Sequence, residues 1–341
     1  MSREPNEDQK EAITYTGSKP LLIQAGPGAG KTFVLIERIK YLLENTNAKP
    51  ESFLVITFTR KAAKELRDRL SSEDVGIPIN DVNKMHISTI HSFCSKVLSE
   101  YGKSGYVLLD DDNDERRKMF IRRYRKDLGL TEEAYIGGSK LNKVMKKFDE
   151  YTSFDVDIDK LQEHISNKCP ISQRYLDLIE SCRQEDDFDF PYDDVMADKE
   201  LKESHYNAQY IAIAEAYPKY LDLLEKNNYM DFTLLQKNLL RLLDNDPSIV
   251  ENSRFKNILI DEFQDTDPIQ MNIFDYFLGN YQHETNNPEG FEGNFDSFTV
   301  VGDDDQSIYG FRGSYSKFFT EFKDNYNAKE VTLETNYRSG K

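Results

Sequence analysis

Pro20-Leu21-Leu22-Ile23-Gln24-Ala25-Gly26-Pro27-Gly28-Ala29-Gly30-Lys31-Thr32 joins a short apolar run to a glycine-rich loop and then to a helical pattern. The run ending at Gln24 reads as a buried strand. From Lys31 to Leu43 the apolar residues Val34, Leu35, Ile39 and Leu42 recur at the spacing of one helix face. Strand, loop and helix in this order form a phosphate-binding loop. Its glycines let backbone N–H groups converge on an anion, and the helix start adds a favourable dipole. Lys31 would neutralise the terminal phosphates of a nucleotide, and Thr32 would offer a hydroxyl to Mg2+. Ala25 stands at the first glycine position of the pattern, whereas Gly28, Gly30, Lys31 and Thr32 keep it.

The pattern extends outward from that unit. Phe53-Leu54-Val55-Ile56-Thr57 is a second continuous apolar strand, with its helix over 61–70, and His86-Ile87-Ser88 fits a third. Phe255 to Ile260 and Ser297 to Val301 read as further buried strands, and Val331 begins another. Strands alternating with helices predict an α/β fold with a parallel sheet flanked by helices. Asn6 and Gln9 form a helix-start capping pair, and Asp231 would cap a helix running through Leu243. Between about Tyr106 and Pro218 the strand pattern gives way to helical candidates such as 115–128 and 141–151. This predicts an inserted helical subdomain over 106–218, splitting the sheet domain into segments 1–105 and 219–330.

The 341 residues exceed one ordinary core, in keeping with a large domain carrying an insertion. A membrane-spanning helix needs about 20 apolar residues, and no such run exists; the first residues lack the apolar core of a signal peptide. A cytoplasmic protein is expected. Cys94, Cys169 and Cys182 have no paired-ligand spacing and read as reduced structural thiols. A net charge of −17 argues against coating nucleic acid by bulk electrostatics, although a local groove remains compatible with it. Acidic residues concentrate over 110–115 and 185–200 and read as solvated loops. The basic cluster Arg116, Arg117, Lys118, Arg122, Arg123, Arg125, Lys126 admits two readings: a grip on duplex DNA, or the favoured one, a solvated basic helix face beside an acidic run.

Asp261-Glu262-Phe263-Gln264-Asp265-Thr266 follows the apolar run Ile258-Leu259-Ile260. An acidic pair at a strand end, in a chain that also carries a phosphate loop, supplies one carboxylate for Mg2+ (Asp261) and a second to orient and deprotonate water (Glu262). Further on, Gly302-Asp303-Asp304-Asp305-Gln306-Ser307-Ile308-Tyr309-Gly310-Phe311-Arg312-Gly313 places an amide, two aromatics and an arginine within seven residues. Aromatic rings stack on any base and a guanidinium meets phosphate, so this block suits a single-strand platform.

In family order, these blocks resemble the first half of superfamily 1A helicases of the UvrD/Rep/PcrA group. The matches are Pro5 to Gln9, the loop at 25–32, Ile56 to Ala63, Ser88 to Phe93, Asp261 to Thr266, Gly302 to Gly313 and Asn336-Tyr337-Arg338-Ser339. The resemblance implies a RecA-like nucleoside triphosphatase domain that uses ATP and Mg2+, and a second such domain beginning at 331–341. It implies that Ala25, Gly26, Gly28, Ala29, Gly30, Lys31 and Thr32 hold the nucleotide with Gln9 at the adenine edge and Tyr337 stacked on the ring. Gln306 and Arg338 would sense the γ-phosphate. Thr57, Phe58, Thr59, His91, Tyr309 and Phe311 would line the single-strand path, and Arg312 would link it to the nucleotide. Three positions depart from the family pattern: Phe33 for an arginine, Arg60 for an asparagine and Phe311 for a tryptophan.

The activity so implied is ATP-driven translocation on single-stranded DNA, with unwinding at single/double-strand junctions and, by the same resemblance, 3′-to-5′ polarity, in repair or replication. Ending just beyond the last block, the sequence reads as an N-terminal half, expected to bind Mg-ATP but to hydrolyse slowly and not to unwind alone. Alternatives are the motor half of a recombinational helicase-nuclease, an ATP-switched DNA-binding or assembly module, and a small-molecule kinase, which would leave Gln9 and the aromatic-arginine block without a role.

Overall fold

A computed structural model describes residues 4–102, 105–109, 114–130, 138–184, 190–280, 293–303 and 316–335. The strands among them are β1 (Leu21–Ala25), β2 (Phe53–Thr57), β3 (His86–Thr89), β4 (Val107–Leu108), β5 (Tyr229–Met230), β6 (Asn257–Ile260), β7 (Ser297–Gly302) and β8 (Lys329–Leu333). The chain forms two compact units, residues 105–237 and the remainder.

In the larger unit six strands pair in the order β3-β2-β6-β7-β1-β8, and every pairing is parallel. Continuous apolar composition explains the central strands: β2, β6 and β7 are buried along their whole length, as expected when helices cover both faces. Val34, Leu35 and Ile39 of the helix Lys31–Asn45 pack with Leu21, Ile23 and Val55 in one core. The capping box predicted at Asn6 and Gln9 is formed and starts the helix Glu7–Thr14. No helix among the described residues is long and apolar enough to cross a membrane.

Two expected boundaries fall elsewhere. Residues 331–333 do not open a separate domain: they end β8, which pairs with β1 from Leu21↔Lys329 to Ala25↔Leu333. The sequence marks a strand at Val331, but a strand's sheet partner is not encoded in its own residues. Residue 218 does not close the insertion, because Pro218 lies inside the helix Lys199–Lys226 and the smaller unit continues to Lys237. Packing of Ala216, Tyr217, Tyr220 and Leu224 into that unit's core carries the helix past the proline.

Among its described residues, the regular structure of the smaller unit is helical apart from the two-residue parallel pairing of β4 with β5. Its basic segment forms the helices Glu115–Arg123 and Arg125–Leu128, interrupted at Tyr124, instead of one continuous helix. Arg116, Arg122, Arg123 and Lys126 are exposed, as a solvated basic face requires, but Arg117 departs from both readings of the basic cluster. It is 3% exposed and pairs with Asp149 at 2.8 Å and Asp231 at 3.2 Å, while its Nε donates to the Tyr220 hydroxyl at 3.0 Å. This arginine belongs to the interior, where neither solvent nor duplex reaches it.

Candidate active site

The carboxyl ends of the parallel strands define one edge of the sheet, where open α/β sheets bind their ligands. Five of the six strands deliver a segment singled out by the sequence there. β1 leads into the loop at 26–30, β2 into Phe58 and Thr59, β3 into Ile90 and His91, β6 into Asp261 and Glu262, and β7 into Asp303.

In the phosphate loop, Gly28 has φ +77° and Gly30 φ +91°, conformations that strain any residue with a Cβ. Gly30 is also the N-cap of the helix Lys31–Asn45, so the helix opens directly onto the loop. Ala25 is the last residue of β1 and fully buried, in extended backbone. Glycine is therefore not required at this departure from the pattern.

Gln9 is fully buried and reaches the same loop: its Nε2 donates to the Ala29 carbonyl at 3.0 Å. A Cβ on Gly30 would lie 3.0 Å from that nitrogen. The helix bearing Gln9 is secured at its far end by Arg38, which donates to the Ala12, Ile13 and Tyr15 carbonyls at 2.8–3.2 Å. The same guanidinium reaches Thr299 Oγ1 at 2.9 Å and Ser297 Oγ at 3.0 Å on β7.

Lys31 and Glu262, 231 residues apart, meet at 2.8 Å through Nζ and Oε2. Glu262 has φ +52° and ψ +45°, an uncommon left-handed conformation for a glutamate. Such backbones hold about 1–3 kcal/mol of strain and concentrate at functional sites. Its neighbour Asp261 accepts the Glu262 main-chain N–H at 3.1 Å. Burial, then the adjacent Glu262, pushes the Asp261 carboxyl up to about 6, against the opposing pull of Lys31. A carboxylate so desolvated beside a second one is suited to a bound cation. Asp261 and Thr32 fit Mg2+ by donor type, since it takes hard oxygen ligands.

Gln264 lies within the acidic block 261–266, and the sequence assigns it no role. It is 3% exposed, its Nε2 donates to Glu262 Oε2 at 2.8 Å, and its Oε1 accepts the Asp303 main-chain N–H at 3.1 Å. An amide two residues from a strand-end acid carries no sequence signal beyond its position.

The segments that leave β2 and β3, expected from the sequence to line a single-strand path, start side by side, because Thr57 and Thr89 are register partners. Phe58, just past Thr57, is 49% exposed, well above what core packing would leave to a phenylalanine. Thr57 is buried, its hydroxyl donating to the Thr59 carbonyl at 3.1 Å, and Thr59 caps the helix Arg60–Leu70 by accepting the Ala62 N–H at 3.0 Å. These threonines shape the turn that presents Phe58. Burial, then nearby Arg60, pushes His91 down to about 4, so its imidazole is neutral at pH 7. Gln306, Tyr309, Phe311, Arg312, Tyr337 and Arg338 lie outside the described residues. A separate cavity of about 290 Å3, lined by Phe93, Val97, Leu239, Phe255 and Phe277, contains none of the expected site residues.

Comparison with known proteins agrees with this geometry. Residues 5–327 match the family model of the UvrD/REP helicase N-terminal domain. The sequence is 30% identical over 342 residues to the "Probable DNA helicase II homolog" of Mycoplasma capricolum, covering 98% of this chain and 39% of that protein. It is 31% identical over 339 residues to "ATP-dependent DNA helicase PcrA" of Staphylococcus epidermidis, covering 98% and 38%. Against "ATP-dependent DNA helicase srs2" of Schizosaccharomyces pombe it is 31% identical over 348 residues, covering 98% and 33%. The chain thus spans between a third and two fifths of the length of these relatives.

Proposed function

Because the chain belongs to the UvrD/REP helicase family, we propose that it supplies the ATP-hydrolysing half of a motor that moves along single-stranded DNA. The observation that carries this reading is the meeting of Lys31 and Glu262 at 2.8 Å, on the sheet edge that also presents Phe58. The relatives' names describe ATP-dependent DNA helicases, which supports ATP as the nucleotide and DNA as the polymer.

In this proposal the loop at 25–32 wraps the phosphates with its backbone N–H groups, and Lys31 leaves Glu262 to neutralise them. Mg2+, held through Asp261 and Thr32, would offset the charge developing between the β- and γ-phosphates. Glu262, once released by Lys31, accepts the proton of the attacking water. Gln9 meets the adenine edge, with Tyr337 against the ring and Gln306 and Arg338 at the γ-phosphate. Phe58, His91, Tyr309 and Phe311 contact bases, while Arg312 connects them to the nucleotide. Residues 105–237 form the inserted subdomain between the two segments of the ATPase domain. Unwinding of junctions with 3′-to-5′ polarity, a place in repair or replication, a cytoplasmic setting and cooperation with a second RecA-like domain belong to the same proposal.

Steady-state ATP hydrolysis, with and without Mg2+ and oligo-dT, tests it beside a Glu262→Gln control. Magnesium-dependent turnover that rises with oligo-dT and vanishes in the control is expected. Nucleotide binding without turnover would instead support an ATP-switched DNA-binding module.

A further inference from the structure

Gln264 lies between two elements of the site, and both ends of its amide are committed. Its Nε2 donates to Glu262 Oε2 at 2.8 Å, and its Oε1 accepts the Asp303 N–H at 3.1 Å. The side chain thereby bridges the ends of β6 and β7, neighbours in the sheet. An amide has one acceptor end and one donor end, so this bridge cannot be inverted without losing both bonds.

Gly302 leaves room for the bridge. A Cβ at this position would lie 2.5 Å from Gln264 Oε1 and 2.7 Å from the Phe319 ring. Gly302 is not among the positive-φ glycines, so close approach of the amide, not backbone conformation, explains glycine here. Glu262 needs an external hold because its backbone sits in the left-handed region at φ +52°. Lys31 and Gln264 share the same carboxylate oxygen. When Lys31 turns to phosphate, Gln264 is the contact that remains.

We propose that Gln264 is a positioning residue that couples the main chain leaving β7 to the carboxylate that activates water. The inference rests on the function proposed above, in which Glu262 is the base and the sequence following Asp303 engages the DNA strand. A shift of the Asp303 N–H on strand binding moves the Gln264 amide and, with it, Glu262 Oε2. The coupling is reciprocal, so nucleotide binding at Glu262 must also alter strand affinity.

The test measures oligo-dT affinity of the full chain by fluorescence anisotropy, with and without a non-hydrolysable ATP analogue and Mg2+. Variants are Gln264→Ala, Gln264→Met and Gly302→Ala. In the parent the two affinities should differ by about fivefold or more, the usual scale of coupling between sites, and in each variant that ratio should fall to about one. Each variant should still bind either ligand alone. Gln264→Met fills the space but can neither donate to Glu262 nor accept the Asp303 N–H as an amide does, so a merely structural role would leave the ratio intact in that variant. The double variant Gln264→Ala/Gly302→Ala should lose no more coupling than either single change, as expected for one shared link. An unchanged ratio in Gln264→Met, with both ligands bound, overturns the proposal. So does a parent that binds both ligands with a ratio of one. A parent that binds neither overturns the functional reading first and removes the basis of this one.

Discussion

The Lys31 ammonium lies 2.8 Å from the Glu262 carboxylate, so each offsets the other's charge. The pairing stores both groups in a partly dry setting, with Lys31 14% and Glu262 34% exposed. In the function proposed above, a triphosphate would draw Lys31 away and leave Glu262, still bonded to Gln264, as the base, so that nucleotide arrival and base activation form one exchange of ionic partners.

That exchange separates the two residues experimentally. Lys31→Ala should abolish detectable ATP binding, because the loop loses its one side-chain cation. Glu262→Gln should retain ATP binding, since the amide no longer competes for Lys31, while turnover falls by about 10²–10⁴-fold, the span of a general base. Equilibrium titration with a fluorescent ATP analogue, alongside steady-state hydrolysis, checks both outcomes. Equal loss of binding in both variants would contradict the exchange.

Arg38 supports a second prediction. It is 1% exposed, and its acceptors are three carbonyls and two hydroxyls, with no carboxylate among them. Burial pushes it down to about 10, which leaves it charged at neutral pH. Arg38→Lys keeps the charge but cannot span the helix Glu7–Thr14 and β7 together. Denaturant unfolding should show a loss of about 3 kcal/mol or more, because several buried acceptors lose their donor at once. The preference for ATP over GTP should fall as well, since this helix carries Gln9.

How much of this was legible depended on the range over which each feature is determined. The loop at 25–32 and the strand ending at Ile260 are local patterns, and both appear where expected. Their convergence followed from the rule that parallel strands gather their carboxyl ends on one edge. Sheet order is a property of partners far apart in sequence, which is why residues 331–333 were not placed beside β1. Arg117 was misread for a related reason: one basic residue in a basic run gives no sign that Asp149 and Asp231 await it inside the unit. Gln264 and Arg38 are polar residues whose importance lies in several simultaneous hydrogen bonds, and such bonds leave no periodicity to detect.

The Arg117 cluster yields a third prediction. Removing its guanidinium leaves Asp149 and Asp231 without their cation, and Asp231 is also the acceptor for the Leu234 N–H at 2.7 Å. Arg117→Ala should destabilise the chain by about 3–5 kcal/mol, the scale of breaking a buried ion pair from one side. Arg122→Ala, on an exposed position of the same helix, should stay within about 0.5 kcal/mol of the parent. Urea unfolding followed by circular dichroism compares the two.

Acid should expose the histidines of β3 and the helix that follows it. Burial, then the charges of Lys96, Arg254 and Arg67, pushes His86 down to about 4; burial and Arg60 do the same to His91. Their ordinary value is 6.5, so between 6.5 and about 4 the unfolded chain binds more protons than the folded one. The stabilising contribution of each neutral ring is complete above the ordinary value and is lost as pH falls towards the folded one. The His86 ring packs at 5.9 Å from Phe93 and 5.7 Å from Phe255, and protonation would place a charge among those aromatics. Melting temperatures of His86→Gln and His91→Gln, recorded from pH 7 to pH 4, should each decline less steeply than the parent's. Aspartates and glutamates titrate in all three proteins alike, so the difference between curves isolates the imidazoles. Parallel curves would show that these rings accept protons in the folded chain as readily as in the unfolded one.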